Sequence, residues 1–189
     1  MSRVPAVVFD ELDEEQQKVY KEITGPRDGG FGGPYQVWIH TPDIARVFNE
    51  VANVLRVNGK LEKRLQELMI LVLAKNWNCD YQWVVHVDAA RKAGLTDEVI
   101  DAILNGQTPT LTESDEQAVY DVVTELIETK KLSQETYDRA IAELGLPKLI
   151  ELVTNSGRYT QAAMVANAFE VPTPGDAHPL AELSTGGSN

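Results

Sequence analysis

Residues 61–94 read LEKRLQELMILVLAKNWNCDYQWVVHVDAARKAG, and the fold is decided in this stretch. Leu61, Leu65, Leu68, Ile70, Leu71, Leu73 and Ala74 make a helix that is apolar over most of its circumference, so it belongs inside the molecule. Asn76-Trp77-Asn78 breaks the pattern and reads as a turn. A second helix is expected from about Cys79 to Lys92, with Trp83, Val84, Val87 and Ala90 as its buried stripe and Gly94 just past its end. Two antiparallel helices joined by so short a turn must pack against each other. Glu67 lies in the apolar first helix, where a charge needs a partner.

Working outward, the same three- and four-residue spacing recurs almost everywhere. Asp10 to Asp13 starts a helix running to about Thr24. Thr41-Pro42-Asp43 places a capping threonine before proline at a helix start, and Ile44, Val47, Phe48, Val51, Val54 and Leu55 are its expected inward face to about Val57. Thr96 caps a short helix that ends at Asn105-Gly106. Thr112 to Asp115 caps another, with Ala118, Val119, Val122, Val123, Leu126 and Ile127 inward. Ser133 begins the next, ending near Leu144-Gly145. Pro147 opens a last helix to about Glu170, with Leu149, Leu152, Val153, Met164, Val165 and Phe169 inward. Only Tyr35 to His40 reads equally as a strand or as the entry to a helix. An all-α fold of seven or eight helices is therefore predicted.

The chain has 189 residues, a length that fits one domain over 1–189, with an N-terminal arm at 1–9 and a Pro/Gly-rich tail at 171–189. Thr24 to Pro34 is a loop with five glycines and two prolines. It lacks the lysine and the preceding strand of a phosphate loop, and reads as a surface loop or one that closes over a pocket. A net charge of −12 argues against a nucleic-acid-binding face. One cysteine excludes an internal disulfide, a paired redox motif and a multi-cysteine zinc site. No carboxylate–histidine cluster has metal-ligand spacing, so no metal is expected. The N-terminus turns acidic at once and no apolar run reaches membrane length. No leader and no membrane association are expected, and the cytoplasm is the default location.

Cys79, Gln82 and His86 stand at i, i+3 and i+7 and share one helix face. Cys79 falls in the first turn, where backbone amides and the helix dipole favour a thiolate. Glu67, on the preceding helix, can come alongside His86 and orient its ring. Each residue also has a purely structural reading. Cys79 can be a small buried hydrophobe, His86 a hydrogen-bonded core residue, and Glu67 the ion-pair partner of Arg64 or Lys75. His40, beside a helix cap, is a candidate pocket residue, whereas His178 in the tail reads as surface.

These residues resemble the carboxymuconolactone decarboxylase-like superfamily, which includes the alkyl hydroperoxidase D proteins. Glu67 with the apolar run after it, Cys79, Tyr81-Gln82-Trp83, His86 and Ala89 to Leu95 carry the likeness, supported by the Gly-rich loop and His40-Thr41-Pro42. The resemblance covers roughly residues 30 to 106. It implies an all-α fold assembled as a homo-oligomer, trimeric or hexameric, acting on a small molecule. It implies Glu67, Cys79 and His86 as catalytic residues, with Gln82, Tyr81, Trp83 and His40 as substrate-binding ones.

Gln82 departs from the pattern. It stands where the peroxidase branch has its second cysteine, which excludes two-cysteine turnover within one chain. It also replaces the glutamate of the decarboxylase motif. The expected function is cofactor-independent decarboxylation or proton transfer on a carboxylated or lactone metabolite, with His86 moving the proton. Arg91 and Arg158 are the candidates to hold a carboxylate. The alternatives are a one-cysteine peroxidase using Cys79, and a silent oligomeric protein that binds a small ligand.

Overall fold

A computed structural model describes residues 2–25 and 31–181 of the chain. Among the described residues eight α-helices occur in order: α1 (Glu14–Thr24), α2 (Tyr35–Trp38), α3 (Pro42–Ala52), α4 (Lys63–Asn76), α5 (Asp80–Ala93), α6 (Asp97–Leu104), α7 (Ser114–Thr129) and α8 (Gln134–Ala168). No strand occurs among the described residues. Nor is any described helix long and apolar enough to cross a membrane.

The molecule is built around α4. Every residue from Leu65 to Ala74 is buried. Leu65, Leu68, Met69, Ile70 and Leu71 are fully removed from solvent. Each such side chain contributes about 1.5–3 kcal/mol, so α4 cannot be exposed without unfolding the protein. It packs on α5, α6, α7 and α8. Val119 and Val122 of α7 and Leu149 and Leu152 of α8 close the core on its other sides. A second, smaller apolar cluster joins α1, α2 and α3 through Val19, Ile23, Tyr35, Trp38, Ile39 and Ala45, with Ala162 from α8.

Local signals account for most helix ends. Asp13 caps α1 and forms a reciprocal capping box with Gln16. Thr96 and Ser133 cap α6 and α8 through their side chains. Gly94 ends α5 in the left-handed conformation at φ 105°. Inside α8, Gly145 (φ 75°, ψ 159°) breaks the helix two residues before Pro147. The Ser133–Gly145 and Pro147 segments are therefore two helices meeting at a kink, as their sequences predict. Thr41 and the 112–115 turn differ from expectation. Proline sets the start of α3 while Thr41 makes no side-chain cap, and α7 begins after Glu113 without one.

Tyr35 to Trp38 forms one helical turn rather than a strand. α3 differs more. It buries its small face, Ala45, Asn49 and Ala52, against α1 and α2. Small residues let the helices approach closely. Of the larger apolar residues expected inward, Leu55 is buried and Phe48 stacks on Trp38, but Ile44, Val47 and Val54 point out, at 43%, 55% and 62% exposed. Val153 and Met164 of α8 and Phe169 just past its end, also expected inward, are exposed. After Ala52 the chain continues in a π-helical turn, Asn53–Val57.

Candidate active site

The α4–α5 turn sets the site. Asn78 takes a positive φ of 47° and the Cys79 amide donates to the Ala74 carbonyl, which reverses the chain within three residues. α5 then runs back along α4. This brings His86 of α5 beside Glu67 of α4, with Nδ1 2.7 Å from Oε2. The expected pairing of these two residues is thus present.

Glu67 is 2% exposed and needs more than one partner. Its other oxygen, Oε1, accepts from Nη2 of Arg56 at 2.9 Å. Arg56 comes from the π-helical turn, and is neither of the two cations that the sequence suggests. Arg64 instead pairs with Asp115 and Glu116. Arg56 also donates through Nη1 to the Tyr159 hydroxyl, and the Tyr159 ring stands edge-on to the imidazole at 5.3 Å.

Burial opposes charge on Glu67. The His86 hydrogen bond and the nearby Arg56 and Lys63 outweigh it and hold the carboxyl below its ordinary range. Burial pushes His86 the other way, below the usual imidazole range. Arg56 and Arg158 reinforce that shift, and the Glu67 contact opposes it without reversing it. Because Arg56 already neutralises Glu67, no imidazolium is needed, and the stable pair is a carboxylate with a neutral imidazole. Nδ1–H then donates to Glu67, and Nε2 is left as the basic nitrogen.

His86 forms part of the wall of a cavity of about 760 Å³. Arg56, Lys63, Arg158, Tyr81, Gln82 and Tyr159 contribute polar groups to it, and Tyr35, Trp38, Val57, Val85 and Ala162 apolar ones. Among the described residues no carboxylate lines it, although the chain as a whole carries −12. Glu67 sits behind His86 as its support. Among the described residues no group of three His, Cys, Asp or Glu is placed to hold a metal ion.

The other candidates divide. Gln82 is buried on the wall, with Nε2 donating to the Ile70 carbonyl at 3.3 Å. Tyr81 lines the cavity beneath the end of the Gly-rich loop. A Cβ on Gly33 would lie 2.6 Å from its ring, and Gly33 has a φ of 61°. Gly32 and Pro34 of that loop line the cavity, while residues 26–30 lie outside the described part.

Trp83 does not line the cavity. It is 3% exposed and packs in the main core, because its helix position faces α4. His40 is exposed and also lies outside the lining, at the surface end of the α2–α3 turn. Arg91 pairs with Asp88 and Asp97 on the surface, whereas Arg158 does reach the cavity.

Cys79 corrects the largest expectation. It is fully buried against Ala163, Ala166 and Val171 and is absent from the cavity lining. Burial pushes its thiol up to about 11, and neighbouring Asp80 adds to the rise. The amides of Gln82 and Tyr81 do reach the sulfur and favour the thiolate, but they lose to desolvation. Tyr81 and Ala166 each touch both the thiol's pocket and the cavity, and so stand between them.

The sequence offers no sign of Arg56, Lys63 or Tyr159. A π-helical turn has no periodic signature, and Tyr159 arrives from the far end of the chain.

Residues 42–125 match the model of the carboxymuconolactone decarboxylase family. No curated protein matches the chain in sequence. Among solved structures it is similar to an alkylhydroperoxidase AhpD core, an uncharacterized peroxidase-related protein from Ralstonia eutropha JMP134, at 16% identity and a TM-score of 0.75 over 92% of both chains. A peroxidase-related protein from Silicibacter sp. TM1040 is similar at 16% identity and a TM-score of 0.76 over 94% of both. The debrominase Bmp8 is similar at 14% identity and a TM-score of 0.65, covering 90% of this chain and 89% of that one. The stretch from α3 to α7 thus resembles the carboxymuconolactone decarboxylase family, and the all-helical fold is the one shared with the alkylhydroperoxidase D-like structures.

Proposed function

We propose that this protein is a cofactor-independent enzyme that moves a proton at carbon in a small carboxylated or lactone metabolite, by decarboxylation or a related step. The observation that carries this reading is the Glu67–His86 contact at 2.7 Å, on the wall of a cavity whose described lining has three cations and no carboxylate. A neutral imidazole fixed at Nδ1 presents a base at Nε2, and the cations stabilise negative charge as it develops on the substrate. Glu67 orients the ring and stabilises the imidazolium that forms. Gln82 supplies a neutral polar group on the same wall.

Peroxide chemistry at Cys79 is the second reading, and the burial and raised pKa of the thiol weigh against it. The two separate in one experiment, a carboxymuconolactone assay beside a peroxide-plus-thiol assay on the same preparation. Turnover of the lactone that falls at least about 10²-fold in His86→Gln and survives Cys79→Ser supports proton transfer. Peroxide consumption abolished by Cys79→Ser, with no lactone turnover, overturns it.

Self-association belongs to the same proposal. Ile44 and Val47 of α3 and Val54 of the π-helical turn after it form an exposed apolar face, and a second copy of the chain is its proposed cover.

A further inference from the structure

Among the described residues three cations line the cavity, and they are not equivalent. Arg56 is engaged twice, by Glu67 and by the Tyr159 hydroxyl. Lys63 donates to the Arg56 carbonyl at 2.6 Å. Arg158 donates through Nε to Oδ1 of Asn155 at 3.0 Å, and its guanidinium lies over the Tyr159 ring at 4.0 Å. It has no carboxylate partner among the described residues. Its Nη2 is buried with no hydrogen-bond partner. A guanidinium on a cavity wall with no carboxylate of its own is placed to take one from a ligand.

We propose that Arg158 is the specificity-determining residue that holds the substrate's carboxylate, through the part of its guanidinium that faces the cavity. This rests on the proton-transfer reading above for the chemistry at His86, and it adds a constraint on the substrate. Tyr159 is the spacer between the anchor and the base: Arg158 stacks on its face and His86 meets it edge-on at 5.3 Å. A carboxylate on Arg158 therefore lies about one aromatic ring away from the carbon that His86 addresses. The anchored carboxylate is several bonds from the reacting carbon and is retained, not lost. The lining also has apolar groups, among them Tyr35, Trp38 and Ala162. The substrate class is a small carboxylate with an apolar body and a reacting carbon remote from the anchored group.

The test uses phenylacetate and 3-phenylpropanoate as probes, with their neutral amides as controls, read by saturable stabilisation in thermal unfolding and by calorimetry. The carboxylates should stabilise the full chain at millimolar concentration, and the amides should not. Arg158→Met keeps the stacked stem over Tyr159 and should weaken carboxylate binding about 10- to 100-fold. Arg158→Lys should retain part of it, and Arg91→Met, a surface change of the same charge, should retain all of it.

His86→Gln should still prefer the carboxylates over their amides. Proton-transfer chemistry can then fail, as absent turnover, while the anchor stands. Equal binding of amides and carboxylates, no binding of either carboxylate by the parent chain, or parent-like binding by a folded Arg158→Met would each overturn the proposal.

Discussion

Arg56 and His86 hold opposite oxygens of one buried carboxylate: Arg56 Nη2 is 2.9 Å from Oε1 of Glu67, and His86 Nδ1 is 2.7 Å from Oε2. The arginine satisfies the charge and the histidine satisfies the geometry. This division lets the imidazole stay neutral next to an ionised glutamate. It also makes the three residues a unit whose members cannot be removed independently.

The pH dependence comes from the shifted groups. His86 is held below its ordinary value by burial. The acid limb of kcat/KM in the lactone assay should therefore fall below about 6.5, the ordinary imidazole value. Stability has the same sign. Between the depressed folded pKa and about 6.5 the unfolded chain binds a proton that the folded chain refuses, so stability drops as pH falls through that window. Glu67, also lowered, adds a second loss further into acid, as pH falls from the ordinary carboxylate range through its folded pKa. Melting temperature against pH, for the parent and His86→Gln, measures this. A variant whose profile below about 6.5 matches the parent's would refute the assignment to His86.

Removing Arg56 should be more damaging than its partial exposure implies. Its side chain is 29% accessible, but that of Glu67 is 3%. Arg56→Met leaves a buried carboxylate short of its cation and should lower stability by about 2–3 kcal/mol, somewhat less than for a fully buried pair. Adding Glu67→Gln to that variant should recover part of the loss. Urea unfolding of the two single variants and the double gives the coupling energy, and a value near zero would show that the pair is not coupled.

The Cys79 thiol should be inert in the native protein. With full burial and a pKa of about 11 it is protonated throughout the neutral range. A chromogenic disulfide reagent at neutral pH should label it only as fast as the chain unfolds, so the rate should climb with urea. Stoichiometric labelling within seconds in native buffer would contradict this placement.

Gly33→Ala should disturb the mouth of the cavity. The added Cβ meets the Tyr81 ring at 2.6 Å, and the φ of 61° disfavours any side chain. A loss of about 1–3 kcal/mol is expected. Combining it with Tyr81→Ala should relieve the clash but not the backbone strain, so recovery should be partial. Complete additivity in thermal unfolding would place the loop off the tyrosine.

Association should depend on α3. Val47, 55% exposed beside Ile44 and Phe48, is the natural place to introduce charge. Val47→Glu should shift sedimentation toward smaller species while leaving helix content unchanged. An unaltered profile, or a parent chain that is already monomeric at micromolar concentration, would rule out this face as the contact.

The central helix pair is legible in the sequence because α4 leaves no polar face. Leu65 to Ala74 admits one placement, and Asn78 and Gly94 mark where α5 begins and ends. Glu67 and His86 come together from that register. The orientation of α3 is not legible. Its large apolar residues satisfy the periodic pattern, yet packing takes the smaller Ala45–Asn49–Ala52 face, and periodicity does not say which neighbour a stripe serves. Cys79 is misread from sequence because proximity to helix amides is visible there, whereas the Ala163 and Ala166 walls that desolvate it come from more than eighty positions away. Arg56 and Tyr159 join the site through tertiary placement alone.

The turn at Asn53–Val57 bears on how the chain can be re-engineered. Its wider winding holds roughly one residue more per turn than an α-helix does. Deleting a single position there would restore regular winding and rotate the adjoining chain by roughly 100°, swinging Arg56 off Glu67 without touching the main core. The site's electrostatics are thus stored in a backbone insertion of one residue, separable from the scaffold. Comparing a one-residue deletion with Arg56→Met would tell whether position or charge matters more, and would turn a feature of winding into a dial for the basicity of His86.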